Sequence, residues 1–456
     1  IFLLLIFFLL SLAMGVFALV ISILFVDLHP EAIIPVFSLM IIASIIGFLV
    51  YRTSFGLGPA TILGLALMFG LIWVGIGHPV ALYRSLLDEE TAQAVSLLLE
   101  SGDFEVQKGL VMDPGSTGLA VGAVAPLAEL DVQSRVARDA GGSGVKAVAL
   151  RVSRPKPVSA YFASRGQTAL AEKITIAGAE AKSLWTWILL VYAFIASVLP
   201  VWLLLQPRDY LNSYKLYLGL FGIMIGLVIL SFQGPVLVVA PAINAEASNL
   251  PPLFPFLFIT IACGAVSGFH SLVASGTTVR QLSSEKDAQW IGFGGMLTEG
   301  MLAVLVILAC TAGLGTAEAW HARYSDFQVA SKLSPKLGAF IEGSGYFLTG
   351  LGIPAHFGEA FIAVLVVAFA MTTLDSATRL LRYNIEEIGG AFRVRVLANR
   401  YIASGLAVGA IAYFALMKVG GKPAGLTLWQ LFGTTNQLLA GLGLLIVSVF
   451  LYGRQR

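Results

Sequence analysis

Long apolar runs separated by short polar breaks dominate the chain. Runs of about 20 apolar residues, enough to cross roughly 30 Å of hydrocarbon as a helix, recur ten times. They fall near 1–26, 33–51, 58–77, 184–205, 214–232, 253–275, 290–313, 357–378, 398–417 and 427–452. The pattern predicts an all-α polytopic membrane protein. It divides the chain into 1–79, holding three spans; 80–183, a soluble insert; and 184–456, holding seven more. The insert carries charges of both signs. Its amphipathic opening "LYRSLLDEETAQAVSLLLES" (82–101) predicts a helix, and the alternating "VKAVALRV" (145–152) a strand, so a small α/β unit is expected there.

Composition agrees with this pattern. Hydrophobic residues make up 57% and charged residues 12% of the 456 residues, with a mean hydropathy of +0.87, outside the range of soluble domains. The net charge of +2 is dispersed, so no nucleic-acid partner is indicated. Cys263 and Cys310 both fall inside predicted spans, which suggests neither a disulfide framework nor a zinc site. The first residue is Ile1, and the first span lacks a basic leader, so the chain is read as a fragment without its N-terminus.

Charge then orients the bundle. Alternating loops put Arg52, Arg208, Lys215, Arg280, Lys286, Arg379, Arg382, Arg393, Arg395, Arg454 and Arg456 on one side. The loops around Asp27 and Glu31 and at 233–252 have no Lys or Arg, while Lys418 and Lys422 weakly oppose the trend. By the positive-inside rule the basic side and the C-terminus are cytoplasmic, and 80–183 is extracytoplasmic.

Candidate chemistry sits within the spans. "GAVSGFHSLVASGTT" (264–278) places Gly264, Ser267, Gly268, Ser271, Ser275 and Thr278, with Thr260, within an arc of roughly 100° on an ideal helix, His270 at its edge. Such a stripe serves either close helix packing or a partly unwound segment lining a substrate cavity. Three carboxylates also fall in spans: Glu299, Asp375 and Glu359. Glu299 and Asp375 are candidate coupling groups, although Asp375 could instead pair with Arg379 four residues on. Arg208 and Asp209 are read as a short structural turn. The run Gly433, Thr434, Thr435, Asn436, Gln437 puts consecutive polar groups inside a span, where they must face protein or water. "GSTGLAVG" (115–122) and "GGSGVK" lack the full spacing of a phosphate loop. A serine hydrolase built on Ser267 or Ser271 with His270 is disfavoured, because a productive base approaches from elsewhere. No catalytic residue, metal or cofactor is expected.

"FPFLFITIACGAVSGFHSLVASGTT" (254–278) resembles the signature of the carbon starvation protein A (CstA) family. "VLPVWLLLQPRDYLNSY" (198–214), "IGFGGMLTEGMLAVL" (291–305), "TTLDSATRLLRY" (372–383) and "LWQLFGTTNQLLAG" (428–441) agree with it. The resemblance implies a plasma-membrane carrier of peptides or pyruvate, induced when carbon is scarce. It also implies a bundle similar to the amino acid, polyamine and organocation (LeuT-like) superfamily, with inverted repeats. The family's Gly-Pro-rich N-terminal segment is absent, so this fragment alone is not expected to transport. The resulting expectation is an importer of small carboxylates or short peptides embedded in the lipid bilayer, with H⁺ rather than Na⁺ as coupling ion. Gly264, Ser267, Gly268, His270, Ser271, Ser275, Thr434, Asn436 and Gln437 would line its cavity. The alternative is a starvation sensor whose outer insert binds ligand.

Overall fold

The computed structural model describes residues 2–53, 56–100, 104–105, 124–125, 154–234, 236–244, 248–252, 254–256, 261, 264–330, 333–419 and 422–454. Its α-helices, in chain order, begin with α1 (Phe2–Ile23), α2 (Ile33–Arg52), α3 (Leu57–Gly77), α4 (Glu89–Glu100) and α5 (Pro155–Ser164). Next come α6 (Thr168–Val198), α7 (Leu205–Gln233), α8 (Gly268–Val273), α9 (Asp287–Thr311) and α10 (Ala317–Tyr324). The last are α11 (Phe327–Ala330), α12 (Leu333–Thr349), α13 (Ala355–Ala391), α14 (Arg400–Leu416) and α15 (Ala424–Arg454). Two short antiparallel ladders pair β1 (Phe104–Glu105) with β2 (Val124–Ala125), and β3 (Lys418–Val419) with β4 (Lys422–Pro423).

Among the described residues, eight helical segments are long and apolar enough to cross a membrane, so the chain is a polytopic helical membrane protein. Two of the ten expected spans depart from expectation. The run at 398–417 becomes α14, a shorter apolar helix. The run at 253–275 is not one helix: the chain bends at Val266 and Ser267, then forms the six-residue α8, a π-helical turn at Ala274–Thr278 and a 3₁₀ turn at Val279–Gln281. The stripe drawn on an ideal helix therefore does not exist as drawn, and Thr260 lies outside the described residues.

One boundary also moves. α6 is continuous from Thr168, so the division at 183/184 falls inside a helix. α12 was not expected at all. Its apolar residues Ala339, Ile341, Phe347 and Leu348 are buried but interleaved with Lys336, Glu342 and a Gly-Ser-Gly run, so no long apolar window forms. Of the helix predicted at 82–101, α4 forms the later part, while Leu82–Leu86 is a separate 3₁₀ turn; 145–152 and both glycine-rich runs lie outside the described residues. Cys310 is half-buried and free in α9, and Cys263 lies outside the described residues.

α13 is the central helix, packed against α1, α6, α7, α12 and α14. Water cannot drive helices together inside lipid, so contact there depends on shape and small residues. Two glycines show this. A Cβ at Gly226 of α7 would strike the Phe347 carbonyl of α12, and one at Gly343 of α12 would strike the Ala309 carbonyl of α9. Nearer the insert, buried Asp27 accepts ion pairs from Lys156 of α5 and Lys182 of α6, each at 3.1 Å.

Asp88 begins α4. Its Oδ1 accepts the Thr91 hydroxyl at 2.7 Å, its carbonyl accepts the Ala92 N–H at 2.9 Å, and Lys173 of α6 donates to Oδ2 at 3.1 Å. The Thr91 hydrogen bond first, and Lys173 next, hold this carboxyl below the usual carboxylate range. A folded-state value below the unfolded one stabilises at pH above the unfolded value of about 4, and that contribution disappears as pH falls through the folded value. Protection of the α4 amides relative to their intrinsic exchange rate at each pH is therefore expected to fall more steeply on acidification in the wild type than in Asp88→Asn. Equal acid profiles would remove Asp88 from the capping role.

Candidate functional site

The bend before α8 has a specific cause. Ser267 is extended (φ −109°, ψ 120°), and its Oγ accepts the His270 N–H at 3.3 Å, capping α8. Across from it, buried Asn436 of α15 reaches in. Its Oδ1 accepts the Phe269 N–H at 2.7 Å, and its Nδ2 donates to Ser267 Oγ at 3.2 Å. A side-chain amide thus replaces the carbonyl that an unbroken helix would have offered, and satisfies backbone that lipid could not. Gly268 permits this approach: any Cβ there would overlap Leu439 Cβ and the Asn436 carbonyl. Beyond the bend, Ser271 and Ser275 turn back on their own helix, donating to the Gly268 and Leu272 carbonyls at 2.7 and 3.2 Å. Gly276 abuts Leu380 of α13, and Arg280 lies 5.5 Å from the Tyr383 ring centre.

Ser267, Gly268 and Asn436, singled out from sequence, therefore meet. Half-buried Gln437 and exposed Ser271 flank them, and Gly264, His270, Ser275 and Thr434 are exposed as well. Glu299 stands apart, exposed on α9, with no hydrogen bond or ion pair among the described residues. Glu359 is half-buried at the start of α13, packed against Gly345 of α12.

Asp375 belongs to a second polar centre, and its partner is not Arg379. Its Oδ2 forms an ion pair with Arg208 Nη1, both side chains being fully buried. Tyr192 of α6 completes the group, donating to Asp375 Oδ2 at 2.5 Å and accepting from Arg208 Nη1 at 2.8 Å. Arg379 turns the other way and donates to the Ala196 and Leu199 carbonyls at 2.7 and 2.6 Å. The i+4 rule fails here because α13 is covered on every side, and a partner on another helix reaches Asp375 first. The turn assigned to Arg208 and Asp209 is corrected too: both are helical residues near the start of α7. Nor are Arg208, Lys215, Arg379 and Arg382 loop charges. All four are buried within helices, whereas Arg52, Arg280, Lys286, Arg393, Arg395 and Arg454 are exposed.

Sequence reading missed Arg208, Lys215 and Tyr192. A signal existed, since Arg208, Asn212 and Lys215 recur at i, i+4 and i+7, the spacing of one helix face. Starting the apolar span at 214 concealed it. An open apolar cleft of about 470 Å³ between α2 and α6, bordered by Met40, Ser44, Phe48, Tyr192 and Leu199, reaches this centre at Tyr192 and Met40.

A helical membrane bundle with one span broken and latched by an amide, and an ion pair enclosed at its core, is the class of protein these features define. Comparison then places it. The family model "Carbon starvation protein CstA" matches residues 157–322 and 316–456, and the chain belongs to that family. The peptide transporter CstA of Escherichia coli K12 is 34% identical over 326 residues, covering 59% of this chain and 46% of that protein. The Helicobacter pylori (strain 26695) peptide transporter CstA is 32% identical over 321 residues, covering 60% and 46%. The pyruvate/proton symporter BtsT of Escherichia coli K12 is 32% identical over 343 residues, covering 59% and 47%. The chain thus spans about half the length of these curated relatives. No solved structure matches it.

Proposed function

We propose that this chain serves in the membrane bundle of a secondary importer for short peptides or pyruvate-like carboxylates, driven by protons and serving cells short of carbon. The observation that carries this reading is the amide-latched break at Ser267 and Gly268. Irregular backbone at membrane depth is tolerated where it meets protein or lines a cavity, which is where transporters expose hydroxyls and carbonyls to cargo. Relatives named as a peptide transporter and as a pyruvate/proton symporter support it. In this reading Ser267, Gly268, His270, Ser271, Asn436 and Gln437 border the substrate path. Asp375, enclosed in the protein as Glu299 is not, supplies the fixed negative charge beside it. The bundle sits in the plasma membrane as a LeuT-like inverted repeat, with its exposed arginines and C-terminus cytoplasmic and the 80–183 region outside.

The test is uptake of labelled pyruvate, and separately of a labelled dipeptide, into cells expressing the full-length protein, with internal pH recorded. Accumulation of one substrate with matching acidification is the expected result. A correctly inserted protein that accumulates neither would overturn the proposal.

A further inference from the structure

Lys215 has no part in the site described above, yet it is a cationic side chain enclosed within the bundle. It shares a face of α7 with Arg208, which meets Asp375, and with Asn212, whose Nδ2 donates to Thr372 Oγ1 at 2.8 Å. Lys215 itself is fully buried, and its Nζ has no hydrogen-bond partner among the described residues. Seven residues at 1.5 Å each place it about 10 Å along the axis from Arg208, toward the middle of the 29-residue helix.

The surrounding helices offer it no counter-charge. α7 brings Arg208, Asp209 and three tyrosines, Tyr210, Tyr214 and Tyr217. α13 brings Asp375, already paired, with Arg379 beyond it, and at its outer end Glu359 and His356; α6 brings Tyr192. α2 has only Tyr51 and Arg52, at its end, and α3 has no charged or titratable side chain. α12, with Lys336, Glu342 and Tyr346, meets α7 further along, at Gly222 and Gly226. α9 carries Asp287, Glu299 and Cys310. None of these forms an ion pair or hydrogen bond with Lys215. On the same side, Asn212 Oδ1 and Asp375 Oδ1 are also buried without partners, so unpartnered polar atoms run from the ion pair to the amine.

An ammonium enclosed without a counter-charge is strongly disfavoured. Arginine would be trapped in that state, whereas lysine can hold a proton when water reaches it and give it up when water leaves. We infer that Lys215 carries the coupled proton, an inference that rests on the proton-driven reading above. With the α7–α13 contact open to one side, a hydronium ion gives its proton to the amine lone pair and departs as water. With the contact open to the other side, a water takes that proton back. Nothing is oxidised or reduced, and one proton crosses per cycle. Asp375, held by Arg208, stays charged throughout.

The test uses the full-length protein in liposomes, wild type beside Lys215→Met, which is neutral and similar in length, and Lys215→Arg, which keeps a charge it cannot release. Two readouts are taken with labelled pyruvate and with a labelled dipeptide. One is exchange without a pH gradient; the other is accumulation under an acid-outside gradient, with internal pH recorded. Wild type is expected to accumulate substrate about tenfold per pH unit for each coupled proton. Either variant that elutes as a single species should keep exchange within about threefold while losing gradient-driven accumulation and acidification. Accumulation retained in either variant overturns the assignment of Lys215 alone. Exchange lost in both, from well-folded protein, overturns it as well and moves Lys215 into substrate binding. A wild type that exchanges but ignores the gradient overturns the proton-driven reading itself, and the inference falls with it.

Discussion

Arg208→Met will destabilise the detergent-solubilised protein by about 3–5 kcal/mol, because it strands the Asp375 carboxylate where no other cation can reach it. Among the described residues Tyr192 would remain as its only partner, and a phenol hydroxyl does not cancel a charge. The double variant Arg208→Met with Asp375→Leu is expected to recover most of that loss, since an apolar pair of similar volume has no charge to desolvate. A thermal-unfolding cycle over wild type, both single variants and the double variant measures the difference as a coupling energy. Single and double variants that unfold at the same temperature would show that the pair is not charged on both sides. Asp375→Leu alone should be nearly as damaging, for it leaves the guanidinium enclosed with Asp209 at 3.5 Å as its nearest acid.

The second large effect is expected at Asn436. Asn436→Ala removes the acceptor for the Phe269 N–H and the donor to Ser267 Oγ together, at a cost of about 1–3 kcal/mol for buried groups left unsatisfied. Because the latch is local, the loss should appear as local opening rather than global unfolding. Amide exchange at Phe269 and His270 would then rise roughly 5- to 150-fold while α13 is unaffected. Asn436→Asp retains an acceptor for Phe269 but no donor to Ser267, so it should protect Phe269 better than alanine does. Unchanged exchange at Phe269 in the alanine variant would sink the latch.

How far the sequence leads differs from element to element. Spans such as α1 and α13 are legible because they are apolar on nearly every side, as buried membrane helices are. α12 is not legible, since it packs through Gly343 and Gly345 and a few apolar residues between charges. Asn436 stood out because a polar run inside an apolar span has to be satisfied by something. Ser267 stood out for the same reason, although the helix it was drawn on is broken there. Arg208 escaped notice because an adjacent arginine and aspartate read as a turn, and because hydropathy windows begin where charges stop. Asp375 was found, but the partner offered for it, Arg379, is not the one it meets: periodicity names neighbours along one helix and says nothing about the helix across the interface.

α6 runs unbroken from Thr168 to Val198. Near one end Lys173 holds Asp88; further along, Lys182 holds Asp27; near the other end Tyr192 joins the Arg208–Asp375 pair. Lys173 and Tyr192 are nineteen residues apart, about 28 Å along a helix. One continuous backbone therefore carries the contacts to Asp88, to Asp27 and to the enclosed Arg208–Asp375 pair, so the three are ordered along a single helix without any relay of side chains between them.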